Sequence, residues 1–372
     1  MKKKVLFLIE SFIVGGAERV LLNLVNAMDK TKFDVTVISV FKKSVYDGYD
    51  AKFDEALSED VHYKYLIDNT KKWRYLLFNY LFNKLPKKWF HRLLIGTGYD
   101  TEVAFYEGLP TKFISCSSNK KSKKIAWLHY GDGFADSTGT KRESYQKTYS
   151  KYDIVVGVSN GVCCNFKHRV GEHQNLITRY NVIDDERVRA KAKEFVPETK
   201  ANGVSFVAVG RVCEIKGYDR LLRVCLKLHD EGFDFYLCVI GGGYMDVLSK
   251  YVADNSMQDY VHFLGHKDNP YPYIKNADWL ISSSYTESFG MAILESMILG
   301  TPVIATDNYG SIELIGNNDY GLKCENSEKG LYEAMKMVLI DDSLRNDYVD
   351  KAVKRAQMFD EQSLLIKLEN IL

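Results

Sequence analysis

The sequence predicts an α/β protein built from two doubly wound domains. Three observations carry that expectation. Short β-branched and aromatic runs alternate with amphipathic helical runs, once in each half of the chain. A polar stretch over residues 184–202, containing Pro197 and no apolar run, separates the two sets. The halves also differ in charge: residues 1–200 hold 34 Lys and Arg against 24 Asp and Glu, whereas residues 201–372 hold 16 against 25. Strand–helix alternation builds parallel sheets covered on both faces, and ligands collect at the carboxyl ends of such strands. The expected domains are residues 1–184 and 200–357.

The elements follow in order. Residues 5–9 form an apolar run that stops at Glu10. An export signal needs a core of about 7–15 apolar residues, so this run is expected to be a buried strand. A helix over 17–28 and a strand over 35–40 come next. Strands at 102–105, 124–129 and 154–159 complete the first sheet, with a helix over 161–170. The second half places strands at 204–210, 233–240, 261–264, 279–282 and 302–306. Helices at 218–231, 245–254, 291–299 and 329–339 alternate with them, and the tail after Ile340 reads as helical.

Composition excludes several classes. Apolar residues at 46% and charged residues at 27% are ordinary for a globular protein, and 372 residues suffice for a sizeable core. The seven cysteines are scattered and form no C-x-x-C pair, which excludes zinc ribbons and thioredoxin-like motifs. Several sit in apolar strand-like runs and read as reduced core residues in a cytoplasmic protein. No stretch is long and apolar enough for a membrane span.

The densest chemistry lies between residues 282 and 306. A strand ends, a loop follows, and a helix starts near Gly290. The N–H groups of Phe289, Gly290, Met291 and Ala292 would lack intrahelical partners there, and such a helix start attracts phosphate. Glu287 precedes this start. Glu295, eight residues on, is the only charge between Met291 and Leu299. A carboxylate on so apolar a helix needs a partner, which a ligand hydroxyl or a neighbouring Arg or Lys would supply. Ser284-x-x-Glu287 also fits a capping box, in which Glu287 is purely structural.

Two further clusters follow strand ends. Arg211 and Lys216 lie between Gly210 and Gly217, where paired cations suit a diphosphate, although a solvated loop with incidental charge fits as well. Gly15 and Gly16 follow the first strand and would let a ligand approach the backbone. The pattern is not G-x-G-x-x-G, and the second strand lacks an acidic residue for a ribose, so a nicotinamide dehydrogenase is disfavoured. His129 ends a strand and would face a site there, unless it is a satisfied core histidine. Glu107-Gly108 occupies a similar place and ranks lower. No D-x-D occurs, so a carboxylate pair for a metal–nucleotide complex is missing and no metal site is expected.

Together these segments resemble glycosyltransferase family 4, retaining enzymes with the GT-B fold. Glu287-x7-Glu295 looks like that family's E-x7-E motif, followed by Gly300-Thr-Pro302. Arg211 and Lys216 match its G-R-…-K-G segment, and Gly15-Gly16-Ala17-Glu18 matches its N-terminal glycine loop. The resemblance covers nearly the whole chain, most closely residues 204–321 and loosely residues 42–98. Ser288 departs from it, standing where the family usually has Gly.

The resemblance implies two Rossmann-like domains facing each other across a cleft, the first for the acceptor and the second for a nucleotide-sugar. The last helix, about 358–372, would cross back onto the first domain. Arg211 and Lys216 would hold the donor diphosphate, Glu295 the ribose and Glu287 the donor sugar. The N–H groups at Phe289, Gly290, Met291 and Ala292 would complete the cradle. Gly16, beside Gly15, would approach the phosphate, and His129 would sit by the reacting carbon. The implied reaction is retaining, metal-independent hexosyl transfer. The donor would be a nucleotide-diphospho-sugar, a UDP-sugar being favoured, and no other cofactor would be needed. The acceptor would be a glycan or a polyprenyl-diphosphate-linked glycan in cell-surface polysaccharide synthesis. A UDP-sugar 2-epimerase on the same fold is an alternative, and so is a non-catalytic membrane-surface binding protein.

One segment points to the acceptor. Between Asp68 and Asp100 no acidic residue occurs, and residues 71–92 interleave Lys and Arg with Trp, Tyr and Phe. Such a mixture suits an anionic membrane surface, with the protein peripheral to the inner face of the cell membrane. The competing expectation is that the aromatics face the core and the lysines face water. A nucleic-acid partner is not expected, because no known module motif accompanies the charge.

Overall fold

The computed structural model describes residues 1–12, 15–43, 53–130, 138–198 and 203–372. They form two compact units, residues 1–183 with 361–372 and residues 184–360. The first unit holds strands β1 (Lys3–Ser11), β2 (Phe33–Phe41), β3 (Val61–Ile67), β4 (Thr101–Ala104), β5 (Lys123–Leu128), β6 (Ile154–Gly157) and β7 (Leu176–Thr178). The second holds β8 (Val204–Val209), β9 (Phe235–Ile240), β10 (Val261–Gly265), β11 (Trp279–Ser282), β12 (Val303–Thr306) and β13 (Leu322–Cys324).

Both sheets are parallel and doubly wound. Their strand orders are β3-β2-β1-β4-β5-β6-β7 and β10-β9-β8-β11-β12-β13. Each order reverses direction once, between β1 and β4 and between β8 and β11. Such a reversal leaves a crevice at the carboxyl ends of the two strands, where open α/β sheets bind ligands. The central strands are continuous apolar runs because helices cover both faces. Leu6, Phe7 and Leu8 of β1 are fully buried, and Trp127 and Trp279 are the largest fully buried side chains.

The central strands fall where the sequence predicts them. Three strands were not anticipated: β3, β7 and β13. All three neighbour only one other strand. β3 and β7 are mostly half-buried or exposed, so neither carries the buried apolar run that marks a central strand. The polar stretch expected as a break also differs. Asp184 caps a helix, Asp185–Lys191, by accepting from the Arg187 N–H at 2.8 Å. Its single buried Val188 docks it within the second unit, against the helix Met291–Leu299. One apolar anchor was too little to signal an element.

The basic aromatic segment is two-sided. Pro86 separates the helices Lys72–Lys84 and Lys87–Phe90. Phe78 and Phe82 are buried against Phe113, with ring centroids 6.2 and 4.7 Å away. Trp73, Tyr80, Trp89 and Leu93 point outward, Trp89 being 68% exposed. Phe78 and Phe82 thus enter the core and Tyr75 packs half-buried on Phe41, its ring centroid 5.3 Å away, while Trp73, Tyr80 and Trp89 stay outside.

The final helix, Glu361–Glu369, belongs to the first unit. Leu364, Leu368, Ile371 and Leu372 are buried there. The Asp29 N–H donates to Glu369 at 2.8 Å, Arg179 Nε donates to the Lys367 carbonyl at 3.1 Å, and Thr101 Oγ1 donates to the Leu372 carbonyl. Leu368→Ala should cost about 2–5 kcal/mol of first-unit stability, as truncating a buried leucine does. Calorimetry should show a lowered first-unit transition, and an unchanged one would contradict this packing.

Candidate functional site

In the second unit, the site begins where β8 ends. Gly210 leaves the strand with φ of 155°, and a short 3-10 turn, Glu214–Lys216, leads to Gly217. Gly217 adopts the left-handed φ of 62°, and a Cβ there would collide with the Ser283 carbonyl. Only glycine meets both demands. The loop is thereby pressed against the end of β11, and Ser283 Oγ donates to the Lys216 carbonyl at 2.8 Å.

Arg220, on the following helix Tyr218–Asp230, is 2% exposed. Its Nε donates to the Ser283 carbonyl at 3.0 Å and its Nη2 to the same oxygen at 2.5 Å. The guanidinium also donates to Asn326 Oδ1 at 2.8 Å and lies 4.0 Å from the centre of the Tyr285 ring. Asn326 Nδ2 returns a bond to the Tyr285 carbonyl at 2.8 Å. From the other side, Thr306 Oγ1 donates to the Ser284 carbonyl at 2.6 Å. The Gly310 N–H donates to the Glu287 carbonyl at 2.9 Å. Any side chain at Gly310 would strike the backbone of Glu287 and Phe289.

This held loop brings Lys216 and Glu287 together. Lys216 Nζ lies 2.5 Å from Glu287 Oε1, and Ser284 Oγ donates to the same oxygen at 2.7 Å. The side chains are 23% and 16% exposed, so the pair borders solvent. The capping-box alternative fails, because the helix starts at Met291 behind Gly290, well beyond Ser284. Gly290 adopts φ of 90° and has no side chain to cap the first-turn N–H groups of Met291 and Ala292. Phe289 is buried beneath this start. Glu295 is half-buried about one turn along the helix, where the Tyr271 hydroxyl donates to its Oε1 at 3.2 Å. Arg211 is exposed just past Gly210.

In the first unit, Gly15 is extended, and the helix Gly16–Ala27 starts directly after it. A Cβ on Gly15 would collide with the Glu18 carboxylate, whereas one on Gly16 would meet nothing within 4 Å. His129 follows β5, with its ring 4.6 Å from Phe105. Burial pushes its imidazole down to about 3, which leaves it neutral at pH 7. Glu107 follows β4, and its Oε1 accepts the N–H groups of His129 and Tyr130, both at 2.9 Å. Burial pushes its carboxyl up to about 7, against the lowering effect of those N–H groups. Burial also raises Glu10, near the end of β1, with a partial offset from Lys112. Among the described residues, no group of three or more His, Cys, Asp or Glu side chains is placed to hold a metal.

Sequence reasoning missed Arg220, which looked like one more charge on an amphipathic helix beside Asp219. It missed Gly310 and Tyr271, which carry no local pattern. It underrated Glu107, although the carboxyl end of a central strand was the available signal.

Anabaena Alr3699/HepE in complex with UDP and glucose matches with a TM-score of 0.77, over 99% of this chain and 98% of that one at 17% identity. The fold is GT-B. Residues 190–355 match the family model for glycosyl transferases group 1. The N-acetylgalactosamine-N,N'-diacetylbacillosaminyl-diphospho-undecaprenol 4-alpha-N-acetylgalactosaminyltransferase of Campylobacter jejuni is 30% identical over 220 residues. That alignment spans 57% of this chain and 58% of that enzyme. An uncharacterized glycosyltransferase of Haemophilus influenzae is 23% identical over 378 residues, covering 100% of both chains. The chain is thus similar to bacterial glycosyltransferases and shares the GT-B fold, and it spans somewhat over half the length of the Campylobacter relative.

Removing the Arg220 latch should loosen the loop. Arg220→Ala leaves the buried Ser283 carbonyl and Asn326 short of donors, and a hydrogen bond to a charged group contributes roughly 1.5–3 kcal/mol. Chemical denaturation should show a loss of at least that size. A variant as stable as wild type would rule the latch out.

Proposed function

We propose that the protein is a retaining, metal-independent glycosyltransferase. It moves a sugar from a nucleotide-diphospho-sugar, a UDP-sugar, to a glycan or polyprenyl-diphosphate-linked glycan in cell-surface polysaccharide synthesis. The second unit takes the donor and the first takes the acceptor. The observation that supports this most is the Lys216–Glu287 pair at the carboxyl ends of β8 and β11, ahead of a helix start capped by glycine. The Alr3699/HepE structure contains UDP and glucose, and the Campylobacter relative's name includes a diphospho-undecaprenol; both fit this scheme.

The roles follow from charge and hydrogen-bonding capacity. Lysine carries three donors, so Lys216 keeps Glu287 while it reaches a phosphate. Arg211, exposed beside it, adds a second fixed cation, and the N–H groups of Phe289, Gly290, Met291 and Ala292 add a third positive end. This potential neutralises the departing diphosphate in place of a metal. Glu295 takes the ribose hydroxyls and Glu287 those of the donor sugar. In the first unit, Gly16 beside Gly15 leaves backbone open to an anion, and His129 stands just past the carboxyl end of β5. The sugar passes through an oxocarbenium-like state. The acceptor hydroxyl attacks from the leaving-group face, its proton goes to a phosphate oxygen, and no carboxylate nucleophile is used. A UDP-sugar 2-epimerase would instead convert the donor with no acceptor present.

Calorimetric titration with UDP and a panel of UDP-sugars tests this reading. Lys216→Ala and Glu295→Gln should each weaken UDP more than about tenfold, since a charge-assisted bond contributes on the order of 1.5–3 kcal/mol. Glu287→Gln should spare UDP and abolish transfer, and EDTA should change neither. Wild-type affinity for UDP in Lys216→Ala, or conversion of the donor alone, would refute it.

The outward face of residues 71–92 supports docking on an anionic membrane. Trp73, Tyr80, Trp89 and Leu93 stand exposed among Lys72, Lys84 and Lys88. No described helix is long and apolar enough to cross a membrane. At about 1 kcal/mol per cation near such a surface, a few lysines give reversible docking. Wild type should float with phosphatidylglycerol vesicles at low salt and less at high salt, and Lys84/Lys87/Lys88→Glu should not float. Wild type that stays in solution at low salt would leave a soluble acceptor.

A further inference from the structure

We propose that Tyr271 is a positioning residue for Glu295, holding its carboxylate in one orientation for the two adjacent hydroxyls of a ribose. The ribose rests on the nucleotide-sugar reading above; the brace on the carboxylate does not. The Tyr271 hydroxyl donates to Glu295 Oε1 at 3.2 Å, and both residues are half-buried.

Tyr271 is itself held from both ends. It opens the short helix Tyr271–Asn276, which packs on the helix Met291–Leu299 that carries Glu295. At the far end of the short helix, Thr301 Oγ1 donates to the Ile274 carbonyl at 2.8 Å, and Lys275 Nζ donates to the Leu299 carbonyl at 2.9 Å. At the near end, the Tyr271 N–H donates to Asn269 Oδ1 at 3.2 Å. Asn269 Nδ2 donates in turn to the Lys191 carbonyl at 2.9 Å and to Glu194 Oε2 at 2.7 Å. Lys191 ends the helix Asp185–Lys191, which packs against both of the other helices. The phenol therefore hangs from a frame of three helices.

The length of the bond defines its role. A hydroxyl that binds a carboxylate strongly comes within about 2.5–2.7 Å. At 3.2 Å, Tyr271 steers Glu295 and leaves the carboxylate able to accept further hydrogen bonds, since such a group has about four lone-pair sites. Glutamate is otherwise rich in rotamers, and ordering it during binding weakens affinity. The frame orders it beforehand. Two hydroxyls on neighbouring carbons are donors at a fixed spacing, so they benefit most from a carboxylate whose orientation is set. A lone hydroxyl can follow a mobile carboxylate equally well.

Calorimetric titration of the full chain with UDP and 2′-deoxy-UDP tests this. Wild type should bind UDP more tightly, as a site built for a hydroxyl rejects the analogue without it. Tyr271→Phe keeps the ring and removes the hydroxyl. It should weaken UDP about two- to tenfold, the loss expected when one side chain must be ordered during binding. Affinity for 2′-deoxy-UDP and the melting temperature should change little. In a Glu295→Ala background, where no carboxylate remains to be held, the same substitution should weaken UDP no further. Unchanged UDP affinity in Tyr271→Phe would overturn the inference. So would an equal loss for both nucleotides, a loss that persists in the Glu295→Ala background, or one that comes only with a fall in melting temperature. In each of those cases a weakened Glu295→Ala would leave the ribose role of Glu295 standing. Wild type that binds neither nucleotide or both alike, or Glu295→Ala as tight as wild type, would reject that role and the positioning with it.

Discussion

A guanidinium buried under the end of β11 governs the arrangement of the second unit's site. Arg220 lends three hydrogen bonds to a stretch of chain that would otherwise leave a strand with its carbonyls unpaired. Burying such a charge is costly, and only acceptors placed on several sides make it tolerable. Those acceptors are the Ser283 carbonyl and Asn326, with the Tyr285 ring beneath. The constraint runs in both directions. The arginine is tolerated because the loop surrounds it, and the loop holds Ser284 and Glu287 toward Lys216 because the arginine occupies its underside. The close approach at Gly217 and the contact at Gly310 belong to the same scheme, in which backbone packs on backbone with no side chain between.

The fold was legible where burial is greatest. Strands covered on both faces must be apolar throughout, so β1, β5, β8 and β11 announce themselves, and the alternation with helices follows. The edge strands β3 and β7 lack that requirement, because one flank of each faces no neighbour, and their sequences carry no such run. The helix Asp185–Lys191 hid for a related reason: a single valine anchors it, and its other residues are those of a linker. GT-B resemblance was legible through short motifs at strand ends, where glycines and charges have few structural uses.

Side-chain neighbourhoods were legible only in part. That Lys216 and Glu287 meet is invisible at a separation of 71 residues. The choice between a capping box and a site carboxylate turned on where the helix begins, and Gly290 decides that through its left-handed backbone. The basic aromatic segment shows the same limit. Its composition supported both a membrane face and a core face, and the chain divides it, with Phe78 and Phe82 filling the interior while Trp73, Tyr80 and Trp89 remain outside. Composition cannot divide residues between two faces of a helix; packing partners such as Phe113 do.

The first unit is assembled from both ends of the chain, with the second unit inserted between Ile183 and Glu361. The contact between Thr101 and Leu372 closes a sequence separation of 271 residues. During synthesis, the helix that covers the first unit emerges only after the second unit has been made. At about 5–20 residues per second, that interval is roughly 10–40 s. For that time the first sheet is complete in its strands but lacks Leu364 and Leu368 over its surface. The newborn chain therefore carries an open apolar patch beside a unit already able to fold. The second unit acts as a timer, and the final dozen residues act as the closure that ends the first unit's exposure.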